Sequence, residues 1–139
     1  MEKIIEEKIE IISGDCSLLN LGLSDKDRKL ICDNVTLIYH FAATTRFNEK
    51  LKSAMDLNVR GTSELLTIAR DCKHLQLFCH ISTAYCHLDQ KYLLEKPYLP
   101  PFDPHALMKL VSEPHDEKIT STFLGPSIPN TYVLTKALA

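Results

Sequence analysis

At 139 residues the chain has the size of one domain with a single core, and its 45% hydrophobic and 24% charged residues are those of a soluble globular protein. Sixteen basic against eighteen acidic side chains leave a net charge of -2, with no basic stripe of the kind nucleic acid requires. No apolar run is long enough to span a membrane, and the Glu/Lys/Ile-rich start does not read as a signal peptide.

Lys8-Ile9-Glu10-Ile11-Ile12-Ser13 is rich in β-branched residues and predicts a strand, followed by Gly14-Asp15. In an open α/β sheet ligands lie beyond the carboxyl ends of strands, which makes Asp15 a candidate binding residue as well as an ordinary turn acid. Leu19 to Leu23 reads as a loop. Ser24 then caps a short helix, with Asp27 in the capping-box position and an end near Ile31 or Cys32. Val35 to His40 predicts a second strand, nearly all apolar and therefore expected to be buried on both faces. It runs into Phe41-Ala42-Ala43-Thr44-Thr45. The two alanines leave room for a flat or extended ligand, or for a tightly packed helix.

A long helix is expected from Asn48 to Cys72. Leu51, Met55, Thr62, Leu65, Leu66 and Ala69 mark its apolar stripe. Asn58 interrupts the stripe and needs hydrogen-bond partners, either a neighbouring backbone or a group at the site. Gly61 in mid-helix costs about 1 kcal/mol relative to Ala, which close packing against it would explain. Leu75 to Ile81 predicts a third strand, ending in Ser82-Thr83-Ala84-Tyr85. The order strand, helix, strand, helix, strand argues for a parallel sheet, and it puts the hydroxyls of Ser82 and Thr83 at a ligand-binding edge.

Six of the seven prolines fall in residues 86–128, which read as a Pro-rich insertion in the domain spanning 1–139. Ala106–Val111 and Asp116–Phe123 are each expected to form a short helix within it. A segment of this length in a compact domain is usually a lid or a substrate-binding element. Cys72, His74, Cys79, His80, Cys86 and His87 match no zinc spacing, so no metal site is expected. Five cysteines without a C-x-x-C indicate reduced intracellular thiols.

The chain holds two Tyr-x-x-x-Lys patterns. Lys96 of the first precedes Pro97, which disfavours helix there. The second, Tyr132 and Lys136, follows Pro129 with Asn130 or Thr131 as N-cap, so both side chains share one helix face. A lysine charge one turn from a phenol favours phenolate, which suits proton transfer to an oxygen as hydride adds at carbon.

With these elements placed, the sequence resembles the extended short-chain dehydrogenase/reductase superfamily. Within it, the chain is most similar to the alcohol-forming fatty acyl-CoA reductases, the male-sterility-protein family. The residues that carry this are Ile12-Ser13-Gly14-Asp15, the run from Leu21 to Asp27, His40-Phe41-Ala42-Ala43-Thr44-Thr45-Arg46-Phe47, Asn58-Val59-Arg60-Gly61-Thr62, His80-Ile81-Ser82-Thr83-Ala84-Tyr85 and Pro129 through Lys136. The resemblance implies an α/β fold, part of a doubly wound Rossmann-like parallel sheet. It implies NADPH as cofactor and a long-chain fatty acyl-CoA as substrate, reduced to a primary alcohol with release of CoA. Tyr132 would be the proton donor, Lys136 would tune it and hold the nicotinamide ribose, and Thr83 would bond the reacting oxygen with Ser82 beside it. Asp15 would lie by the adenine, Ala42 and Ala43 along the dinucleotide, and Asn58 behind the site.

No Gly-x-Gly-x-x-Gly occurs in the sequence. Against the family pattern the glycine-rich loop and first strands are missing, so a fragment, inactive by itself, is expected. Membrane association, at the peroxisome or endoplasmic reticulum, would then rest on parts outside these residues. The Tyr, Lys and Thr chemistry also fits an extended reductase acting on a nucleotide sugar, and the absent loop fits a non-catalytic truncated binding protein.

Overall fold

Ser24 opens the first helix, α1 (Asp25–Asn34), as its spacing to Asp27 predicts: the Asp27 amide donates to Ser24 Oγ at 3.1 Å, and the Ser24 hydroxyl donates to Asp27 Oδ2 at 2.7 Å. The computed structural model describes residues 8–113 and 117–139. The loop before α1 holds a short 3-10 segment, Leu19–Gly22, and α1 runs two residues past its expected end.

Strand β1 (Leu37–His40) pairs in parallel with β2 (Leu77–His80), with Leu37 opposite Leu77 and His40 opposite His80. Parallel neighbours need a long crossover. Here it is a continuous helical run: α2 (Leu51–Ala54), a π-helical segment (Met55–Arg60) and α3 (Gly61–Asp71). The Gly61 amide reaches back to Asp56 O, the i→i+5 bond that defines the π turn. The run corresponds to the predicted long helix, though sequence periodicity gave no hint of the π segment.

Two expectations fail. Residues 9–13 form no strand: strands are held by ladder bonds, and these residues have no ladder partner among the described residues, leaving Ile11 90% exposed. β1 is buried on one face only. Ile38 and His40 point inward and Leu37 and Tyr39 outward, because the described helices cover a single face of the strand. An apolar run is therefore not proof of burial on both sides.

Leu51, Met55 and Val59 of the crossover form the main core with Leu107 and Val111 of α4 (Pro104–Ser112) and Leu134 and Leu138 of α6 (Thr131–Leu138). Phe102, Met108, Phe123, Leu124 and Ile128 pack around this cluster. A second cluster joins Leu21 and Cys32 to Ile68 on α3. Ile68 replaces the exposed Leu66 on the predicted stripe, since the π turn rotates the face that follows it. Gly61 has the packing reason its position called for: a Cβ there would lie 2.6 Å from the Cys16 carbonyl oxygen.

The Pro-rich stretch divides in two. Residues 86–103 are irregular, and Asp103 then caps α4, which enters the core through Leu107 and Val111. The second helix expected there appears as a 3-10 turn, Glu117–Ile119, and α5 (Thr120–Phe123); Asp116 lies outside the described residues.

Candidate active site

Asn130 is the N-cap that starts α6; its side chain accepts from the Val133 amide at 2.9 Å. Thr131 then ties the helix to the loop after β1, its hydroxyl lying 3.2 Å from Phe47 O and 3.0 Å from Glu49 O. Phe47 also stacks obliquely on Tyr132, with ring centroids 5.5 Å apart. Tyr132 and Lys136 thus stand on one helix, one turn apart, with Tyr132 half-buried and Lys136 only 5% exposed. The other Tyr/Lys pair, Tyr92 and Lys96, lies in irregular chain, as Pro97 predicts.

Lys136 Nζ donates to Ile81 O at 2.8 Å, just past the end of β2, and the Ile81 amide donates to His40 O at 3.1 Å. This anchors the ammonium where both strands end and where Ser82 and Thr83 begin. Burial lowers the Lys136 pKa, while the Cys86 thiol nearby opposes the shift. Thr83 is half-buried; its hydroxyl accepts from the Tyr85 amide at 3.3 Å, and the Cys86 thiol donates to Thr83 O at 2.9 Å. Ser82 is exposed beside it.

His40 and His80 face each other across the sheet, ring centroids 5.1 Å apart. His40 Nε2 lies 2.9 Å from Thr62 Oγ1, whose proton goes to Asn58 O at 2.7 Å. The Thr62 oxygen is therefore the acceptor, and His40 carries its proton on Nε2. Both ring nitrogens of His80 are buried without a partner among the described residues. Burial, then the Lys136 and His40 charges, push His80 down to about 4, and burial and Lys136 lower His40 as well. Two neutral imidazoles leave Lys136 the cation of this pocket.

Asn58, 1% exposed, answers the question its place on the stripe raised. Its Oδ1 accepts from the Thr44 amide at 2.8 Å, and its Nδ2 donates to Thr44 O at 3.1 Å and to Thr135 Oγ1 at 2.9 Å. It serves a backbone and a side chain on the candidate catalytic helix at once. Thr44 and Thr135 were not among the residues the sequence singled out for the site. A threonine in mid-helix, four residues after another, was the available signal, because its hydroxyl needs a local acceptor.

Of the remaining predicted residues, Ala42 and Ala43 lead directly into Thr44, and Asp15 is bonded locally. Ala42 is exposed and Ala43 half-buried just after β1. Asp15 follows no strand; it lies in a turn closed by its amide on Leu21 O at 2.7 Å, and its carboxylate accepts from the Ser17 amide and hydroxyl at 2.8 and 2.6 Å. Those bonds lower its pKa.

A parallel strand pair with a helical crossover, and a Tyr-x-x-x-Lys helix anchored at the strand ends, is part of a Rossmann-like α/β domain. The model of an NAD-binding family described as "Male sterility protein" matches residues 1–139, and the chain belongs to that family. It is 41% identical over 136 residues to "Fatty acyl-CoA reductase 1" of Homo sapiens, covering 96% of this chain and 26% of the relative. To "Fatty acyl-CoA reductase wat" of Drosophila melanogaster it is 43% identical over 136 residues, covering 95% and 26%. The Xenopus laevis "Fatty acyl-CoA reductase 1" is 40% identical over 136 residues, with 96% and 26% covered. The chain thus spans 26% of the length of each of these relatives.

Proposed function

We propose that these residues serve a fatty acyl-CoA reductase that uses NADPH to take a long-chain acyl-CoA to a primary alcohol, releasing CoA. The observation that carries this reading is the helix bearing Tyr132 and Lys136, anchored on Ile81 O beside Ser82 and Thr83. Its support in sequence is the likeness to proteins named fatty acyl-CoA reductase.

The residues present fit the nicotinamide end of the cofactor. The Lys136 ammonium has three N–H donors and gives one to Ile81 O, so two would be available to ribose hydroxyls. Ala42 and Ala43 carry only methyl groups where β1 ends, which leaves the backbone accessible along the dinucleotide. Ser82, beside Thr83, would also contact the cofactor, and Asp15 would serve its adenine end. Bound there, the cofactor supplies hydride. Thr83 donates a hydrogen bond to the reacting oxygen, Tyr132 delivers the proton to it, and the Lys136 charge stabilises the phenolate left behind. Asn58 holds the frame from below.

The substrate is met by the Pro-rich segment, where a cavity of about 610 Å³ has a mixed lining, with Tyr98, Leu99 and Ile128 available to the acyl chain and His87, Gln90 and Lys96 to polar groups. No helix among the described residues is long and apolar enough to cross a membrane. Association of the whole gene product with a peroxisomal or endoplasmic reticulum membrane is part of this proposal.

The test is product analysis on the whole gene product, given palmitoyl-CoA and NADPH in one reaction and a nucleotide sugar in another. Hexadecanol and free CoA are expected, with turnover falling by more than ~100-fold in Tyr132→Phe, as for loss of a general acid. Turnover of the sugar alone overturns the substrate assignment, and normal turnover in Tyr132→Phe removes Tyr132 from the mechanism.

A further inference from the structure

Thr135 stands between Tyr132 and Lys136 on α6 and is fully buried, 0% exposed. A hydroxyl has one proton to give and lone pairs to receive. The Thr135 proton goes to Thr131 O at 2.9 Å, with Tyr132 O at 3.2 Å, the local acceptors a helical threonine reaches. The oxygen then accepts from Asn58 Nδ2 at 2.9 Å. The rest of the Asn58 amide is spent on the amide and carbonyl of Thr44, so its orientation is fixed: the oxygen must face Thr44 N and the nitrogen must face Thr135.

Behind Asn58 the backbone is held as well. Its carbonyl, inside the π-helical segment, also receives the Thr62 hydroxyl, which is held in turn by His40 on β1. A single amide therefore connects the chain leaving β1, the crossover helix and the helix that carries the Tyr and Lys. Thr135 is the point on α6 where that connection is made. A side chain of the same shape without the oxygen would leave a buried Asn58 N–H with no acceptor and free α6 to shift on its apolar contacts.

We propose that Thr135 is a positioning residue for the reduction. Through Asn58 it sets α6, and with it the Tyr132 phenol and the Lys136 ammonium, against the end of β1. This rests on the reading of Tyr132 and Lys136 as the proton-transfer pair. Small displacements of reacting groups are expensive: a misplacement on the order of 1 Å costs up to about 100-fold in rate.

The experiment compares Thr135→Val and Thr135→Ser in the whole gene product, with palmitoyl-CoA and a nicotinamide cofactor carrying deuterium at the transferred position. In Thr135→Val, kcat falls roughly 30- to 100-fold while KM for acyl-CoA stays within about threefold, and the deuterium isotope effect on kcat rises as chemistry becomes limiting. Thr135→Ser, which keeps the oxygen, stays within about fivefold of the parent.

A merely less folded enzyme would lose kcat with its isotope effect unchanged, and that result overturns the proposal. So does a Thr135→Val rate near the parent's, or a Thr135→Ser rate as low as that of Val. If Thr135→Val does not fold, Thr135→Cys, with a weakly accepting sulfur in the same place, carries the same prediction with a smaller loss; a parental rate there overturns it. Tyr132→Phe is measured alongside. Normal turnover in that variant sinks the proton-donor reading and this proposal with it, whereas collapse of Tyr132→Phe beside a normal Thr135→Val sinks only the positioning role.

Discussion

The seam between α6 and the π segment and the irregular chain of residues 86–103 both border the candidate site, and they are held in opposite ways. At the seam the bonds are long-range and buried: Asn58 and Thr135 meet across 77 positions of sequence. In residues 86–103 the bonds are local, such as Gln90 N to His87 O at 3.1 Å and Leu94 N to Tyr98 Oη at 2.8 Å, and Leu88, Tyr92, Leu93, Leu94 and Leu99 are exposed. Under the proposed reaction, the first region fixes groups that must meet to a fraction of an ångström. The second shapes a cavity, and proline restrains its backbone without demanding a packed partner.

The strongest way to break the comparison is at the seam. Leu134 is on α6 with 0% exposure, packed in the cluster of Met55, Val111 and Leu138. Leu134→Ala leaves a cavity in this cluster, and unfolding free energy should fall by about 3–5 kcal/mol. Urea titration of parent and variant checks it. A loss below about 1 kcal/mol would mean the seam is looser than its burial indicates.

The difference between the regions also explains what was legible in the sequence. The α/β order, the Ser24 cap, the α6 start and the choice of Tyr132 over Tyr92 all follow from local rules: cap chemistry, strand propensity and the effect of proline on its neighbour. Those rules act within a few residues. Gly61 was readable as a packing position, but its partner, Cys16, was not, because nothing local joins residues 16 and 61. The Asn58–Thr135 bond was hidden for the same reason, although a buried Asn announces that some partner exists. The failures at residues 9–13 and on the outer face of β1 are of another kind. A strand's burial and pairing depend on neighbours, and the apolar pattern reports only that it is suited to have them.

A smaller effect comes from the imidazoles beside the seam. His80 is held down to about 4 by burial and by the charges of Lys136 and His40, the titratable groups that act on it. In the unfolded chain it returns to about 6.5. Below that value the unfolded state binds a proton that the folded state refuses, so stability is full above about pH 6.5 and declines as pH falls toward 4. His40, also lowered, adds in the same direction. Urea midpoints at pH 7, 6, 5 and 4 should decrease in order. His80→Gln, which does not titrate, should flatten the decline without abolishing it; equal slopes in the two proteins would place the proton uptake elsewhere.

The smallest effect is expected from the same chemical deletion made in the other region. Leu99 is 91% exposed on the rim of the cavity, between Tyr98 and Pro100. Leu99→Ala removes the same atoms as Leu134→Ala, yet those atoms are already in water and their loss opens no void, so the stability change should stay within about 0.5 kcal/mol. The contrast uses one residue type and varies only its surroundings, which isolates packing from side-chain chemistry. If Leu99→Ala leaves the urea midpoint unchanged but alters the preference among acyl-CoA chain lengths, the exposed leucine serves the substrate and not the fold. If instead it destabilises the protein by more than about 1 kcal/mol, residues 86–103 are as much a part of the packed structure as α6, and the division drawn between them does not hold.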